Sequence, residues 1–376
     1  MIPLLDRYVT RELVPPLLFG LAIFSTLLTV ATALLKAVTL LSRGAPAWAV
    51  WQLFLMKWVI LLPLVLPMAM LLAAMLAFGR LSGDSELVAL QAAGTPLLRV
   101  GRAPLVMGLI LSIAGLLLTE HVVPGAAQRA HRLELVIAAA LRSGTRDLDP
   151  SKGFVYHDVE GRVRRRTILA GGFNVDAGRL DHVVYLEYMP DGNKVRWLVE
   201  AEWCEWNERE PYRWLFHHGV IKYIEETTLN RYKPTVAFQR QEFTIRRTPR
   251  ELRAGMKEPE EMTFYELSDY LEEMRRQGVS ARKLRELRVE LHRKIADPFM
   301  ALSFALVGTP LGIRRPRTGS GVGLGLSILI LFLFYLLWSS ARVLGQGGSL
   351  PETVAAWLAN VVILLLGLGL TWRATR

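Results

Sequence analysis

The sequence lacks most of the features by which a soluble enzyme is recognised. Its 376 residues include one cysteine, Cys204, which excludes an intrachain disulfide. No lysine follows a glycine, so the GK[ST] core of a Walker A motif is absent, and HExxH, CxxC and GxSxG are absent as well. We therefore expect a non-catalytic chain that holds no cofactor and does not hydrolyse ATP by itself.

Long apolar runs dominate what is present. Hydrophobic residues make up 52% of the chain, above the roughly 45–50% of a soluble domain. A membrane-spanning helix needs about 20 apolar residues, and six uncharged runs reach or approach that length: residues 13–35, 58–79, 103–119, 298–313, 318–341 and 353–372. These runs predict an α-helical integral membrane protein with helices 1–3 in residues 1–119 and helices 4–6 in residues 298–376. Pro15 and Pro16 are expected in the first turn of the first helix.

Residues 120–297 form a polar insertion between the third and fourth runs, long enough for a core of its own. Residues 120–141 have helical spacing and should prolong the third membrane helix. The stretch from about 153 to 245 is rich in β-branched and aromatic residues, which predicts an antiparallel sheet, sandwich or open barrel. Helices are expected over about 263–295, the first ending at Gly278 and the next starting at Ser280.

The net charge of +11 belongs mostly to the apolar runs and their connections. Residues 120–297 contribute only +2 and the rest of the chain +9, so the excess does not indicate nucleic-acid binding. With a cytoplasmic N-terminus, the short outer loops hold only Arg43 and Arg342, whereas the inner side holds Arg7, Arg11, Arg80, Arg99, Arg102, Arg314, Arg315, Arg317, Arg373 and Arg376. By the positive-inside rule, this asymmetry predicts that both termini are cytoplasmic and that the insertion is outside. The long first run without a small-residue cleavage site indicates a retained helix, not a signal peptide.

The loop between the second and third runs holds the clearest candidate site. It reads GRLSGDSELVALQAAGTPLLRVGR, in which Asp84 is a good N-cap, Glu86 would lie in the first turn, and Gly94 stops the helix. A short amphipathic helix over about 84–94 is expected at the inner membrane surface. It is either a capped re-entry turn or a docking helix for a cytoplasmic partner, with contacts from Asp84, Ser85, Glu86, Leu87 and Leu90.

Other charged or glycine-rich segments leave alternatives open. Asp297 follows Glu290, His292, Arg293 and Lys294 at a membrane entry, where snorkelling side chains or a proton relay would explain them. The segment GSGVGLG at residues 319–325 fits close helix packing better than a dinucleotide loop, because no strand precedes it.

Four sequence blocks together resemble the LptF/LptG (YjgP/YjgQ) family of permeases. They are LDRYVTREL at 5–13, LPLVLPMAMLLAAMLAFGRLSGDSELVALQAAG at 62–94, LHRKIADPFMALSFALVGTPLG at 291–312 and GQGGSLPETVAAWLANVV at 345–362. Each block is loose alone, but their order and the long insertion between the third and fourth helices also match.

The resemblance implies a membrane subunit of the lipopolysaccharide-export ABC transporter in the bacterial inner membrane. It implies a second LptF/LptG-type permease subunit, a cytoplasmic ATPase dimer that binds ATP-Mg, a periplasmic jellyroll-like domain, and LptC/LptA-like periplasmic jellyroll proteins that receive lipopolysaccharide. The 84–94 segment would be the coupling helix, with Glu86 as its principal acidic contact.

Two lysines are candidate lipid contacts under this resemblance. Lys36 and Lys57 lie near the outer ends of the first two helices, where a phosphorylated lipid head would meet them. Interfacial snorkelling is the alternative for both side chains.

Competing functions fit less well. A membrane sensor or scaffold with an extracytoplasmic β ligand-binding domain shares the topology, but we would expect it to carry an inner signalling module as well. A secondary transporter would be expected to show inverted repeats and several intramembrane charges, and neither is evident in the sequence.

Overall fold

The computed structural model describes residues 4–143, 154–160, 163–174, 177–189, 195–207, 210, 212–223, 236–245, 249, 259–276, 278–313 and 321–375. Their contacts divide the chain into two compact units. The first comprises Met1–Val38, Phe54–Ala127 and Pro259–Arg376, and the second comprises Thr39–Leu53 and Gln128–Glu258.

The helices of the described residues account for all the predicted apolar runs. They are α1 (Leu4–Ser42), α2 (Ala47–Gly83), α3 (Glu86–Ala92), α4 (residues 97–143), α5 (Phe264–Arg276), α6 (Ala281–Gly312), α7 (Gly321–Gly347) and α8 (Glu352–Thr375). Among the described residues, α1, α2, α4, α6, α7 and α8 are long and apolar enough to cross a membrane. The predicted six-helix membrane architecture is therefore confirmed.

The first helix begins earlier than the sequence predicted. It starts at Leu4, so Pro15 and Pro16 lie in its interior and not in its first turn. Val9 and Leu13 are fully buried in a cluster with residues of α2, α3 and α4. This packing stabilises the extra turns, as tertiary contacts commonly do for helical segments. A π-helical segment, Val30–Leu34, interrupts the helix further on.

Small residues bring the membrane helices close together. A Cβ built on Gly308 of α6 would lie 2.8 Å from the Ala74 Cβ of α2, and one on Gly312 would lie 2.7 Å from the Phe78 Cβ. These two glycines are four residues apart, the spacing of small residues that lets apolar helices approach closely. A Cβ built on Gly325 would have no neighbouring atom within 4 Å. The close helix packing expected of the 319–325 segment is therefore not found at this position.

The second unit contains the predicted antiparallel β domain. Its strands are β1 (Phe154–Glu160), β2 (Val163–Ala170), β3 (Gly172–Asn174), β4 (Arg179–Tyr188), β5 (Val195–Trp206), β6 (Arg213–Tyr223) and β7 (Val236–Thr244). They form one sheet in the order β1-β2-β4-β5-β6-β7, and β3 also pairs with β4. The antiparallel pairs follow chain order except at β3. The apolar face carries Leu180, Val199, Trp214 and Phe216, all fully buried.

Along one line across this sheet, the alternation of buried and exposed side chains changes parity, because neighbouring core positions in β4 and in β5 are three residues apart there instead of two. Burial passes from Leu180 to Val183 in β4 and from Ala201 to Cys204 in β5, and in β6 both Phe216 and His217 are buried before Gly219. His182 and His218 lie on this line with φ angles of 50° and 49°, a left-handed conformation uncommon for residues other than glycine. The pairs on either side stay in register, from Asp181↔Trp203 to Val183↔Ala201 in β4–β5 and likewise in β5–β6. Neighbouring strands therefore change phase together without slipping.

Candidate functional site

The short helix α3 connects α2 to α4, as the sequence predicted, but its cap differs. The helix begins at Glu86, and Ser85 is the N-cap residue with φ 61° and no side-chain cap hydrogen bond. Asp84 is therefore not the N-cap. Its amide donates to the Arg80 carbonyl at 2.9 Å, and its carboxylate lies 3.6 Å from the Arg80 Nε, so it is bonded to the last turn of α2. The predicted stop at Gly94 fits its φ of +82°.

The two leucines of α3 anchor the helix to the rest of the chain. Leu87 is 4% exposed and packs, together with the half-buried Leu90, in the cluster that contains Val9, Leu13 and Phe78. The opposite side of the helix is solvent-accessible, with Val88 at 61% and Ala89, Gln91 and Ala92 also exposed. Of the predicted contact residues, Asp84 and Ser85 are exposed and Glu86 is half-buried, whereas Leu87 is covered by the protein's own core.

The acidic side chain of α3 is held by α1. The Tyr8 hydroxyl donates to the Glu86 Oε2 at 2.5 Å. One turn further along α1, Glu12 Oε2 lies 2.8 Å from an Arg80 terminal nitrogen. Sequence reasoning missed these links because they join residues far apart in the chain. The LDRYVTREL block was the only sign of them, since it places Tyr8 and Glu12 four residues apart on one helix face.

The two candidate lipid contacts are placed differently. Lys36 lies in the α1 segment Leu35–Ser42, just after the π-helical turn, and its side chain is exposed. Lys57 lies within α2 and is half-buried. The structure therefore offers the Lys36 ammonium to its surroundings more openly than that of Lys57.

A network of ion pairs, which we call the α6–α7 ion network, joins two of the membrane helices. It consists of Glu290, Arg293, Asp297, Trp338 and Arg342. Arg293 lies 3.2 Å from Glu290 and 3.0 Å from Asp297, and Arg342 of α7 lies 2.7 Å from Glu290. The Trp338 indole donates to Asp297 at 3.0 Å, and the Arg293 guanidinium stacks 3.9 Å from the Trp338 ring centroid.

This network gives the charges of α6 an interhelical explanation. The sequence suggested snorkelling or a proton relay for Glu290, Arg293 and Asp297, and it assigned Arg342 to an outer loop. Arg342 instead lies within α7, where it meets Glu290. The partner could not be found from the sequence because the pairing depends on how α6 and α7 cross.

The β domain contains a buried histidine and a buried thiol. His217 stacks on Trp203 with 3.7 Å between ring centroids, and its Nε2 lies 3.1 Å from the Glu205 Oε1. Its neighbour His218 is exposed, so the two rings differ in burial. Burial raises the pKa of the Cys204 thiol. Within the described ranges, no three His, Cys, Asp or Glu side chains are grouped to hold a metal ion.

Comparison with known proteins identifies the chain's relatives. The family model described as "Lipopolysaccharide export system permease LptF/LptG" matches residues 7–373. A curated protein of Haemophilus influenzae named "Lipopolysaccharide export system permease protein LptG" is 26% identical over 320 residues, which cover 81% of this chain and 82% of that protein. With its six membrane-spanning helices and a family match over nearly its whole length, the chain belongs to the LptF/LptG family of lipopolysaccharide export permeases and is a multi-pass inner-membrane protein.

Proposed function

We propose that this chain is the membrane permease subunit of an ABC transporter that extracts lipopolysaccharide, or a related lipid, from the inner membrane. It passes the lipid to a periplasmic bridge of LptC/LptA-like proteins for delivery to the outer membrane. A separate cytoplasmic ATPase dimer binds ATP-Mg and supplies the energy, and a second LptF/LptG-type subunit completes the membrane core. The absent Walker A motif and the family match support this division of labour.

The observation that carries the proposal is the two-sided character of α3. Leu87 fixes the helix to the membrane unit, while Val88, Ala89, Gln91 and Ala92 form an exposed, uncharged strip beside Asp84 and Glu86. A small uncharged strip bordered by carboxylates suits a shallow groove that contains arginine or lysine. We assign the ATPase contact to this exposed strip and to Glu86, and we assign Leu87 and Leu90 to anchoring.

The orientation follows from the distribution of arginine. Arg80, Arg99 and Arg102 flank α3, so the positive-inside rule puts α3 and both termini in the cytoplasm. Of the two arginines first assigned to outer loops, Arg342 is paired with Glu290 inside the α6–α7 ion network. Arg43 alone then remains for the outer connections, and the β domain lies in the periplasm.

The lipid contact is assigned to Lys36 and, as the weaker candidate, Lys57. Lys36 is exposed near the end of α1 opposite to Tyr8, which is the periplasmic end in this orientation. An exposed ammonium at that depth suits a lipid phosphate.

Reversing the charge of Glu86 tests the docking assignment. Glu86→Lys places a cation against the ATPase cation that the carboxylate would have met, and breaking such a pair costs about 2–5 kcal/mol. We expect ATPase association to weaken roughly 30-fold or more, measured as ATPase that copurifies with the tagged full chain from membranes.

The matched control is Glu272→Lys, which reverses another acidic side chain, 63% exposed, on α5. It should copurify ATPase at the wild-type level. If Glu86→Lys also retains wild-type amounts of ATPase and exports lipid normally, α3 is not the docking helix.

A further inference from the structure

Two polar contacts tie the N-terminal end of α1 to the junction between α2 and α3, and a third lies within that junction. Tyr8 reaches Glu86, Glu12 reaches Arg80, and Arg80 in turn reaches Asp84, at 2.5, 2.8 and 3.6 Å. Tyr8 and Glu12 are one helical turn apart and therefore on the same face of α1. This face of α1 therefore contacts both α2 and α3.

The surroundings make the Tyr8 contact more than an incidental surface bond. Val9 and Leu13 are fully buried against the same cluster that receives Leu87, so the backbones of α1 and α3 are fixed relative to each other. The Glu12 side chain is only 16% exposed, which limits the movement of the neighbouring turn. A hydroxyl that donates to a carboxylate across 2.5 Å is a short, charge-assisted hydrogen bond.

We propose that Tyr8 is a positioning residue for the docking helix: its hydroxyl holds Oε2 of Glu86 so that Oε1 is presented to a cationic side chain of the ATPase. The inference rests on the proposed function, because it concerns the same carboxylate. A carboxylate accepts through both of its oxygens, so the bond to Tyr8 is compatible with a second bond to the partner.

The physical advantage is pre-organisation. A glutamate side chain at a surface has several rotamers, and fixing it on binding opposes association. Tyr8 fixes the carboxylate beforehand. Losing that restraint should weaken ATPase association about 3- to 10-fold, less than losing the carboxylate charge.

The contact also links two distant parts of the permease. Because Tyr8 belongs to α1, any displacement of α1 changes how Glu86 is presented, and ATPase docking must favour the same α1 position in return. Lys36 lies further along the same helix, beyond its π-helical segment, so a lipid held there and an ATPase held at α3 would act on one helix.

The test is a double-mutant cycle on the full chain, assembled with its partner subunit in nanodiscs and titrated with the ATPase that copurifies with the wild type. The variants are Tyr8→Phe, Glu86→Gln and the double variant. Tyr265→Phe, which removes the hydroxyl of another exposed tyrosine (76% exposed), is the matched control. Equal melting temperatures establish that all variants are folded.

We expect Tyr8→Phe to bind 3- to 10-fold more weakly than the wild type, Glu86→Gln more weakly still, and the double variant no more weakly than Glu86→Gln. Tyr265→Phe should bind as the wild type does. Unchanged or tighter binding by Tyr8→Phe overturns the inference, as does a Tyr8→Phe effect that persists in the Glu86→Gln background. Wild-type binding by Glu86→Gln contradicts the docking assignment itself and is thereby distinguished from a failure of the Tyr8 inference alone.

Discussion

Helix packing decides which side chains of this permease are buried and which are exposed. Leu87 and Val88 are neighbours in α3, yet one is in the core and the other is exposed. The sequence predicted the short helix and the place of Glu86 in its first turn, because an acidic residue in the first turn and a glycine stop are local signals. It did not distinguish the buried leucines from the exposed side of the helix, since that depends on which side of α3 meets α1 and α2.

Lys36 is the residue at which the lipid assignment is most directly tested. A phosphate held by an ammonium contributes about 1.5–3 kcal/mol when the pair is partly shielded from water. Lys36→Ala should therefore lower lipopolysaccharide retention by roughly 10-fold, and it should leave basal ATP hydrolysis unchanged. The measurement is the lipid that remains bound to the purified complex at low salt, with phosphorylated and dephosphorylated lipid compared.

Lys57→Ala provides the control because Lys57 is half-buried within α2. It should reduce retention less than Lys36→Ala, and both variants should differ little from the wild type with dephosphorylated lipid. Equal retention of phosphorylated lipid by Lys36→Ala and the wild type would leave snorkelling as the only role for this side chain.

Among the structural elements, the pair of helices α6 and α7 shows where prediction from the sequence ends. The helices themselves were predicted from their uncharged runs, and α6 begins directly after Ser280, next to its predicted start, with the Ser280 side chain accepting from the Lys283 amide at 3.5 Å. The α6–α7 ion network was not predicted. Its α7 members are about 40 to 50 residues from their α6 partners in the chain, and only the crossing of the two helices brings Arg342 to Glu290.

Removing Glu290 should destabilise this pair of helices strongly. The Glu290 and Arg293 side chains are 12% and 8% exposed, and deleting one partner of a buried pair costs about 3 kcal/mol or more because the other charge stays uncompensated. We expect Glu290→Ala to lower the melting temperature of the detergent-solubilised chain by several degrees.

The comparison variant is Glu272→Ala, which removes the i,i+4 partner of Arg276 on α5, a pair with 75% and 63% exposed side chains. Exposed pairs contribute under about 1 kcal/mol, so this variant should melt within about a degree or two of the wild type. Similar melting temperatures for the two variants would mean that the α6–α7 ion network does not hold the helices together.

On the scale of the whole molecule, the chain is a membrane unit with a β domain inserted between α4 and α5. The distribution of arginine predicts that α3 and the β domain lie on opposite sides of the membrane. That orientation can be tested by labelling introduced cysteines, because the native cysteine should not react. Cys204 is fully buried, and burial raises the pKa of its thiol. A thiol of this kind contributes little thiolate, so the native cysteine does not need to be removed.

Two introduced cysteines test the orientation. Gly83→Cys, at an exposed position where an added Cβ meets nothing within 4 Å, should be protected from a membrane-impermeant maleimide in spheroplasts and labelled after lysis. Gln241→Cys, at an exposed position of β7, should be labelled in both preparations. Labelling of Gly83→Cys in intact spheroplasts would reverse the orientation and exclude ATPase docking at α3.

The line of changed parity in the sheet constrains how the β domain tolerates insertions and deletions. If His182 alone were lost, β4 would return to simple alternation, and Leu180 would still face the core but would lie opposite Trp203 instead of Cys204. The pairs to β5 would shift by one residue on one side of the line only. An insertion or deletion at this line is therefore compatible with the fold only when the adjacent strands change by the same number of residues. We expect relatives of this chain to gain or lose residues here in all of these strands at once.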